Sequence, residues 1–390
     1  MSATTTQTTE RRAALSLAGI FALRMLGLFM IYPVFAIYAR RLPDATPFRV
    51  GLALGIYGLA QAICQMPLGL LSDKVGRKRV IAAGLLLFAA GSIVAACAHS
   101  VTIIILGRWL QGMGAVGSAV LALVADLTAE SSRSRAMAVI GMSIGAAFGI
   151  AVVLGPVLNA EIGVPGMFWL TAVFAVFCLL LLFTAVPAPA HPIHQAETEP
   201  TPGMLLRVLR DGRLLRLDFG ILAQHAILTA TFLGLPFLLQ HAGMSLDRQW
   251  EIYLLAFLLS GAAMFPVLAR AERRGRTRTL ILGSVVTIAL VQGGFLIGGG
   301  LSVLIVLVSL FLIAFNFLEA VLPAQISKLA PVSVRGTAIG IYSSSQFLGL
   351  FLGGILGGWC QDRFGPIGAF AFSLVVAVAW VAVSLLFDDS

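Results

Sequence analysis

Arg24 and Glu319 are the residues of this 390-residue chain whose types fit their neighbourhoods worst. Arg24 stands in Ala22-Leu23-Arg24-Met25-Leu26 and Glu319 in Phe317-Leu318-Glu319-Ala320-Val321, both within long apolar stretches. An ionisable group in such a stretch is costly unless it faces water or a partner, so a functional role is its default reading. Glu319 has Asn316 one turn before it and Pro323 one turn after it, and it is the candidate for taking up and releasing a proton. A low dielectric favours the neutral acid, whereas a nearby cation or donor favours the carboxylate. The competing readings are a glutamate that only packs its helix and an Arg24 that fixes neighbours through backbone carbonyls. Arg108 and Asp126 are 18 residues apart, about five helical turns, and share one face at opposite ends of a single segment.

Uncharged polar residues add possible cavity linings: Tyr57, Gln61 and Gln65; Gln224 and His225; and Tyr342, Ser343 and Gln346. Gln61 and Gln65 share a helix face. Taken singly, each is more often an interhelical hydrogen bond than a ligand contact. His225 titrates near neutrality when unperturbed. Glycines at Gly141, Gly145 and Gly149, and from Gly349 to Gly358, form small-xxx-small patterns that allow close helix approach.

The elements that position these groups follow from composition. Of the residues, 59% are hydrophobic and 11% charged, against roughly 25% charged in an average soluble domain. Apolar blocks long enough to cross a bilayer, about 20 residues each, run near 13–38, 47–72, 79–97, 102–128, 134–160, 165–187, 216–241, 247–270, 277–297, 301–329, 332–358 and 364–387. This reads as an all-α integral membrane protein with twelve transmembrane helices in two six-helix halves. Arg24 lies eleven residues into the first block, about 16 Å from its start at 1.5 Å per residue. That depth is near mid-membrane.

Charge placement sets the expected topology. Twelve crossings put both termini on one side, and the loops of that side with the N-terminal tail hold 19 of the 26 Lys and Arg residues. The positive-inside rule makes that side cytoplasmic. The net charge of +9 is therefore read as membrane topology, and no nucleic-acid partner is expected. The expected divisions are a cytoplasmic tail over 1–12, an N-terminal half over 13–187, a proline-rich cytoplasmic linker over 188–215 and a C-terminal half over 216–387. An internal repeat supports the two halves. Asp73-Lys74-Val75-Gly76-Arg77 recurs as Glu272-Arg273-Arg274-Gly275-Arg276 at an offset of 199, and Arg135-Ala136-Met137-Ala138 as Arg335-Gly336-Thr337-Ala338 at an offset of 200.

Several classes are excluded. There is no phosphate-cradling Gly-x-x-x-x-Gly-Lys-Ser/Thr loop and no His-Glu-x-x-His, so an enzyme is not expected. Cys64, Cys97, Cys178 and Cys360 are scattered without metal-site or disulfide spacing, and neither a metal nor a cofactor is expected. The first apolar block is too long for the roughly 7–15-residue core of a signal peptide.

Gly69-Leu70-Leu71-Ser72-Asp73-Lys74-Val75-Gly76-Arg77-Lys78-Arg79, between the second and third blocks, resembles motif A of the major facilitator superfamily. Leu106-Gly107-Arg108-Trp109-Leu110-Gln111-Gly112-Met113-Gly114 resembles its motif B. With Leu23-Arg24-Met25-Leu26-Gly27 and Phe315-Asn316-Phe317-Leu318-Glu319-Ala320, the chain is similar to the YajR-type branch of the drug:proton antiporter family. That resemblance implies secondary active transport by alternating access: proton-coupled efflux of a drug-like or amphipathic molecule, by a monomer in a bacterial inner membrane. It implies that Arg108 tunes a proton-accepting carboxylate. It also implies a cytoplasmic gate of Gly69, Asp73, Gly76, Arg77 and Asp126, mirrored by Glu272, Gly275 and Arg276. A carboxylate of this gate would meet the N-terminus of the eleventh span near Val332, where the helix dipole favours negative charge. Two features depart from the branch. The family's glycine-rich motif C ends in Gly-Pro-x-x-Gly-Gly, whereas here Gly155-Pro156 continues as Val157-Leu158-Asn159-Ala160. The chain also stops at Ser390, without the branch's C-terminal soluble domain. Symport or uniport of a metabolite, and a non-transporting receptor or scaffold, remain as alternatives.

Overall fold

A computed structural model describes residues 3–187, 202–331 and 334–386. The first half of the expected linker, 188–201, lies outside these residues, as does Val332, and the second half forms α8 and the start of α9. Among the described residues the structure is helical: α1 (Ala3–Phe29), α2 (Tyr32–Ala39), α3 (Pro47–Val75), α4 (Arg77–Ala96), α5 (Val101–Met113), α6 (Gly117–Leu127), α7 (Glu130–Thr184), α8 (Pro202–Arg210), α9 (Gly212–His241), α10 (Gln249–Arg273), α11 (Thr277–Ile297), α12 (Leu301–Leu329), α13 (Arg335–Phe364) and α14 (Gly368–Leu386). Helices α1 and α4–α7 pack mainly within the first half and α9–α14 mainly within the second, while α3 packs most heavily on α13 across the two.

Eleven stretches among the described residues are long and apolar enough to cross a membrane. One of them, 139–184, has 46 residues, about 69 Å of helix against a hydrocarbon core of about 30 Å. It must cross twice. Gly163, with φ 65° and ψ 172°, breaks α7 in the middle, and Pro165 follows it. The twelve expected crossings are therefore present, with the fifth and sixth run together.

Two crossings are interrupted where the chemistry needs it. The first divides into α1 and α2 just before Pro33, whose missing N–H suits the first turn of a helix. The fourth divides at Gly114–Val116, which frees the Gly114 carbonyl from helical pairing. Short turns close the other joints. Thr46 and Ser100 cap α3 and α5 by accepting from the Arg49 and Ile103 amides at 3.2 and 3.3 Å. The two copies of the repeated loop share a backbone feature, since Gly76 (φ 109°) and Gly275 (φ 62°) both take a left-handed conformation between helices.

The two halves meet chiefly at the end of the bundle away from the arginine-rich loops. There α3 and α13 run antiparallel with backbones in contact. A methyl group added at Gly51 or Gly58 would overlap the carbonyl oxygen of Gly354 or Phe347. Tyr32 of α2 sits edge-on to Phe232 of α9 with centroids 6.1 Å apart, and the Arg40 guanidinium lies 3.9 Å above the Phe237 ring. Toward the arginine-rich end the same two helices are more open. On α3 every residue from Met66 to Val75 except Ser72 is partly or fully exposed, and on α13 only Ala338 and Tyr342 are buried between Arg335 and Gln346.

Candidate functional site

Two polar clusters occupy the middle of the bundle, one in each half. In the N-terminal half Arg24 is buried, and its guanidinium Nη2 donates to the freed Gly114 carbonyl at 2.9 Å, to Tyr57 Oη at 3.3 Å and to Gln61 Oε1 at 3.5 Å. Its face lies 5.1 Å from the Phe88 ring centroid. Gln61 passes the network on to Gln65 at 3.4 Å. Arg24 thus pins the interrupted fourth crossing to α3, yet its Nε and Nη1 have no hydrogen-bond partner among the described residues. Donors left over in a buried cation are capacity for an acceptor from outside the chain.

Arg108, also buried, is placed differently from the expectation. It donates to the Ala53 and Leu54 carbonyls at 3.4 Å each and to Gln111 Oε1 at 2.9 Å, with Tyr57 stacked 4.9 Å from it. Gln111 donates onward to Ser92 Oγ at 2.7 Å. No carboxylate among the described residues touches Arg108, so its visible role is to brace α5 against α3.

In the C-terminal half Glu319 of α12 gathers residues from two other helices. Gln224 Nε2 on α9 donates to its carboxylate at 3.0 Å, Gln346 Nε2 on α13 donates at 3.2 Å, and His225 Nε2 lies 3.7 Å away. Gln224 also reaches the Phe315 carbonyl at 3.1 Å, across one turn of α12. The His225 Nδ1 contact to the Ile221 carbonyl at 3.1 Å makes that nitrogen the donor, which leaves Nε2 to accept from Gln346 at 2.9 Å. No lysine or arginine among the described residues pairs with Glu319. Asn316 stays out of this cluster and donates to Ser260 Oγ on α10 at 2.9 Å, a link between helices.

Aromatic rings separate the two clusters. Tyr57 lies 6.3 Å from Phe347, the neighbour of Gln346, and Phe148 of α7 lies 5.1 Å from Phe315, whose ring is 5.7 Å from His225.

At the arginine-rich end, Arg77 closes a latch within the N-terminal half. It is ion-paired with Asp73 and, through Nε, with Asp126 at 3.1 Å, and it donates to Ser72 Oγ at 2.7 Å; Ser72 in turn donates to the Gly69 carbonyl at 2.6 Å. Asp73 remains 43% exposed. The second copy of the loop is wired otherwise: Glu272 pairs with Lys328 at 3.6 Å, both well exposed, while Arg276 has no such partner among the described residues.

Asp218 of α9 escaped the sequence reading, which singled out Glu319 as the acid deep in this half. Because α9 starts at Gly212, Asp218 lies about 9 Å into the helix. It is buried, and neither carboxylate oxygen has a partner among the described residues. The Tyr342 hydroxyl is likewise buried without one, and Tyr342 is within electrostatic reach of both Asp218 and Glu319. The signal in the sequence was the spacing, since Asp218 and His225 are seven residues apart on one helical face.

The model of the Major Facilitator Superfamily matches residues 17–325 and 271–390. The chain belongs to the major facilitator superfamily. It is therefore a transporter and not an enzyme. It is 42% identical over 378 residues to the inner membrane transport protein YajR of Escherichia coli, covering 96% of this chain and 83% of that one. It is 26% identical over 360 residues to the multidrug resistance protein MdtH of Klebsiella pneumoniae, covering 88% of this chain and 85% of that one. Among solved structures, the nucleoside transporter NupG and a D-xylose-proton symporter each share the fold at a TM-score of 0.74 and 16% identity. These cover 95% and 96% of this chain and 99% and 97% of theirs. The human organic anion transporter MFSD10 aligns over 96% of this chain and 99% of its own, at a TM-score of 0.69 and 20% identity.

Proposed function

We propose that this major facilitator exports a drug-like or amphipathic small molecule in exchange for protons, as a monomer in a bacterial inner membrane with both termini in the cytoplasm. The observation that carries the reading is the Glu319 cluster. A mid-span carboxylate held, among the described residues, by amides and a histidine has no permanent counter-ion there to fix its charge, so proton and substrate can compete for it. Asp218 and Tyr342 extend that cluster toward the arginine-rich end and give the proton a route to the cytoplasm. The spare donors of Arg24 and the rings of Tyr57, Phe315 and Phe347 would hold the solute between the halves. One relative is named an inner membrane transport protein and another a multidrug resistance protein, which supports a membrane location and a drug-like solute. With the halves sealed away from the arginine-rich loops and looser toward them, this reading makes the conformation an inward-facing one. The Arg77 latch readies Asp73 for the eleventh span when that side closes.

Proteoliposomes loaded with a pH-sensitive dye test this. Under an imposed proton gradient, a panel of lipophilic cations, organic anions and neutral amphiphiles is screened for gradient dissipation by the native protein and by Glu319→Gln. The expected result is substrate-dependent proton movement that the near-isosteric variant loses while it still binds the solute. Solute flux without proton movement in the native protein points instead to uniport, which the altered Val157-Leu158-Asn159-Ala160 segment also fits. Proton coupling unchanged in the variant removes Glu319 from the mechanism.

A further inference from the structure

The arginine-rich loop between α10 and α11 sits over a crevice that the transport reading leaves unused. Both helices pack on α12 and scarcely on each other, and the gap between them is an open crevice of about 500 Å³. Val267, Leu280, Leu310, Ile313 and Phe317 give it an apolar lining, and Val267 and Leu310 are 38% and 41% exposed on the outer surface of the bundle. In a membrane protein that surface faces lipid. Gly283 forms part of one wall, where a Cβ would meet nothing within 4 Å.

The mouth is cationic. Arg270, Arg274 and Arg276 line it, and none of the three has an ion-pair or hydrogen-bond partner for its guanidinium among the described residues. The internal repeat explains the deficit. In the first copy Arg77 is neutralised by Asp73 and Asp126. In the second copy Glu272 turns to Lys328, and the positions matching Asp126 at offsets of 199 and 200 are Gln325 and Ile326. Arg276 has kept its place in the motif and lost its acids.

We propose that this crevice binds one anionic phospholipid of the leaflet at the arginine-rich end, its phosphate on Arg270, Arg274 and Arg276 and one acyl chain between α10 and α11. The dimensions agree. From Arg276 to Thr287 the crevice follows α11 for eleven residues, about 16 Å of rise, which matches half of a hydrocarbon core about 30 Å thick. A soluble anion would satisfy the arginines and leave the apolar length empty. A neutral lipid would fill the length and leave the arginines unpaired. Basic pockets between helices on the cytoplasmic side suit acidic headgroups for this reason, and each arginine is expected to contribute roughly fivefold in affinity. The proposal stands whether or not the chain moves protons.

The test uses the full chain carrying Leu280→Trp, reconstituted in bilayers of phosphatidylcholine with increasing phosphatidylglycerol, where either lipid has brominated acyl chains that quench tryptophan on contact. The signal of the introduced tryptophan is read against the chain without Leu280→Trp. Brominated phosphatidylglycerol should quench the introduced tryptophan at a lower mole fraction than brominated phosphatidylcholine, by tenfold or more. Arg270→Gln, Arg274→Gln and Arg276→Gln together should equalise the two lipids. Gly283→Phe should reduce quenching by both, since its ring fills the crevice from a position with free space. Inorganic phosphate should leave the preference unchanged. Equal quenching by both lipids in the native background overturns the headgroup site, and so does loss of the preference in phosphate. Undiminished quenching in Gly283→Phe overturns the acyl-chain placement. Thermal unfolding of each variant establishes that it is folded when measured.

Discussion

Replacing Gly354 with alanine should open the end of the bundle that is sealed here. A Cβ at Gly354 would lie 2.9 Å from both the Cα and the amide nitrogen of Gly55, where ordinary contacts begin at 3.4 Å, and it would overlap the Gly51 carbonyl oxygen. These are backbone atoms of a facing helix and cannot rotate away, so α3 and α13 must part by at least half an ångström. Overpacking of this kind costs about 1–3 kcal/mol. The cost falls only on the conformation in which the two helices touch. A two-state transporter therefore shifts toward the other conformation by about five- to 150-fold. Spin labels at Arg41→Cys and Asp362→Cys, both exposed near the sealed end, report the separation by pulsed dipolar spectroscopy once the four native cysteines are replaced. The native chain should give a short distance, and Gly354→Ala should add a longer population. Gly261→Ala, where a Cβ meets nothing within 4 Å, is the control and should leave the distribution alone. If Gly354→Ala lowers thermal stability but leaves the distances unchanged, the seal is static packing and the inward-facing assignment loses its main support.

Asp218→Asn should slow proton-driven turnover while leaving solute affinity in place, with Asp218→Glu restoring part of the rate; unaltered proton flux in the asparagine variant would take Asp218 off the route. Arg77→Gln should lower the melting temperature in detergent by leaving Asp126, 13% exposed, without its ion pair, a loss of about 1–3 kcal/mol for a hydrogen-bonded charge. Lysine at the same position should recover only part of it, because a point charge cannot span Asp73, Asp126 and Ser72 together; full recovery would mean the latch needs charge alone. Asp44, in the turn between α2 and α3, accepts from the Thr102 hydroxyl and from the Val101 and Thr102 amides at the start of α5. The Thr102 hydroxyl first, then the amides and Arg49, hold its carboxyl below the usual range against the opposing effect of burial. Its contribution is therefore complete above the ordinary carboxylate range and is lost as pH falls through the depressed folded value. The melting-temperature difference between native and Asp44→Asn should hold steady from neutrality down to about pH 4 and shrink below that; a difference that persists unchanged in stronger acid would contradict the assignment.

Crossing number, the two halves and the family were legible in the sequence because the bilayer imposes a one-dimensional rule. About 20 apolar residues per crossing and arginines on one side can be counted without knowing any contact. Arg24 and Glu319 stood out for the same reason, as ionisable groups in segments the rule requires to be apolar. Motif A was legible as a segment between the second and third crossings, and the structure adds the ion pair of Asp73 with Arg77, one turn apart, and the left-handed turn at Gly76. Partners from other helices were not legible, because hydrogen bonding between helices depends on their rotation and depth, which hydropathy does not encode. The sequence could not say that His225 and Gln346, 121 residues apart, would meet over Glu319, or that Asn316, one turn from Glu319, would turn to α10 instead. Nor could it say that Arg108 would brace backbone carbonyls, or that Asp218 would be drawn inside by a helix that starts several residues before its apolar block. The same holds for the sealed end. Glycines on α3 and α13 announce that a close approach is possible, and only the packed halves decide that they approach each other, leaving the arginine-rich end the looser of the two.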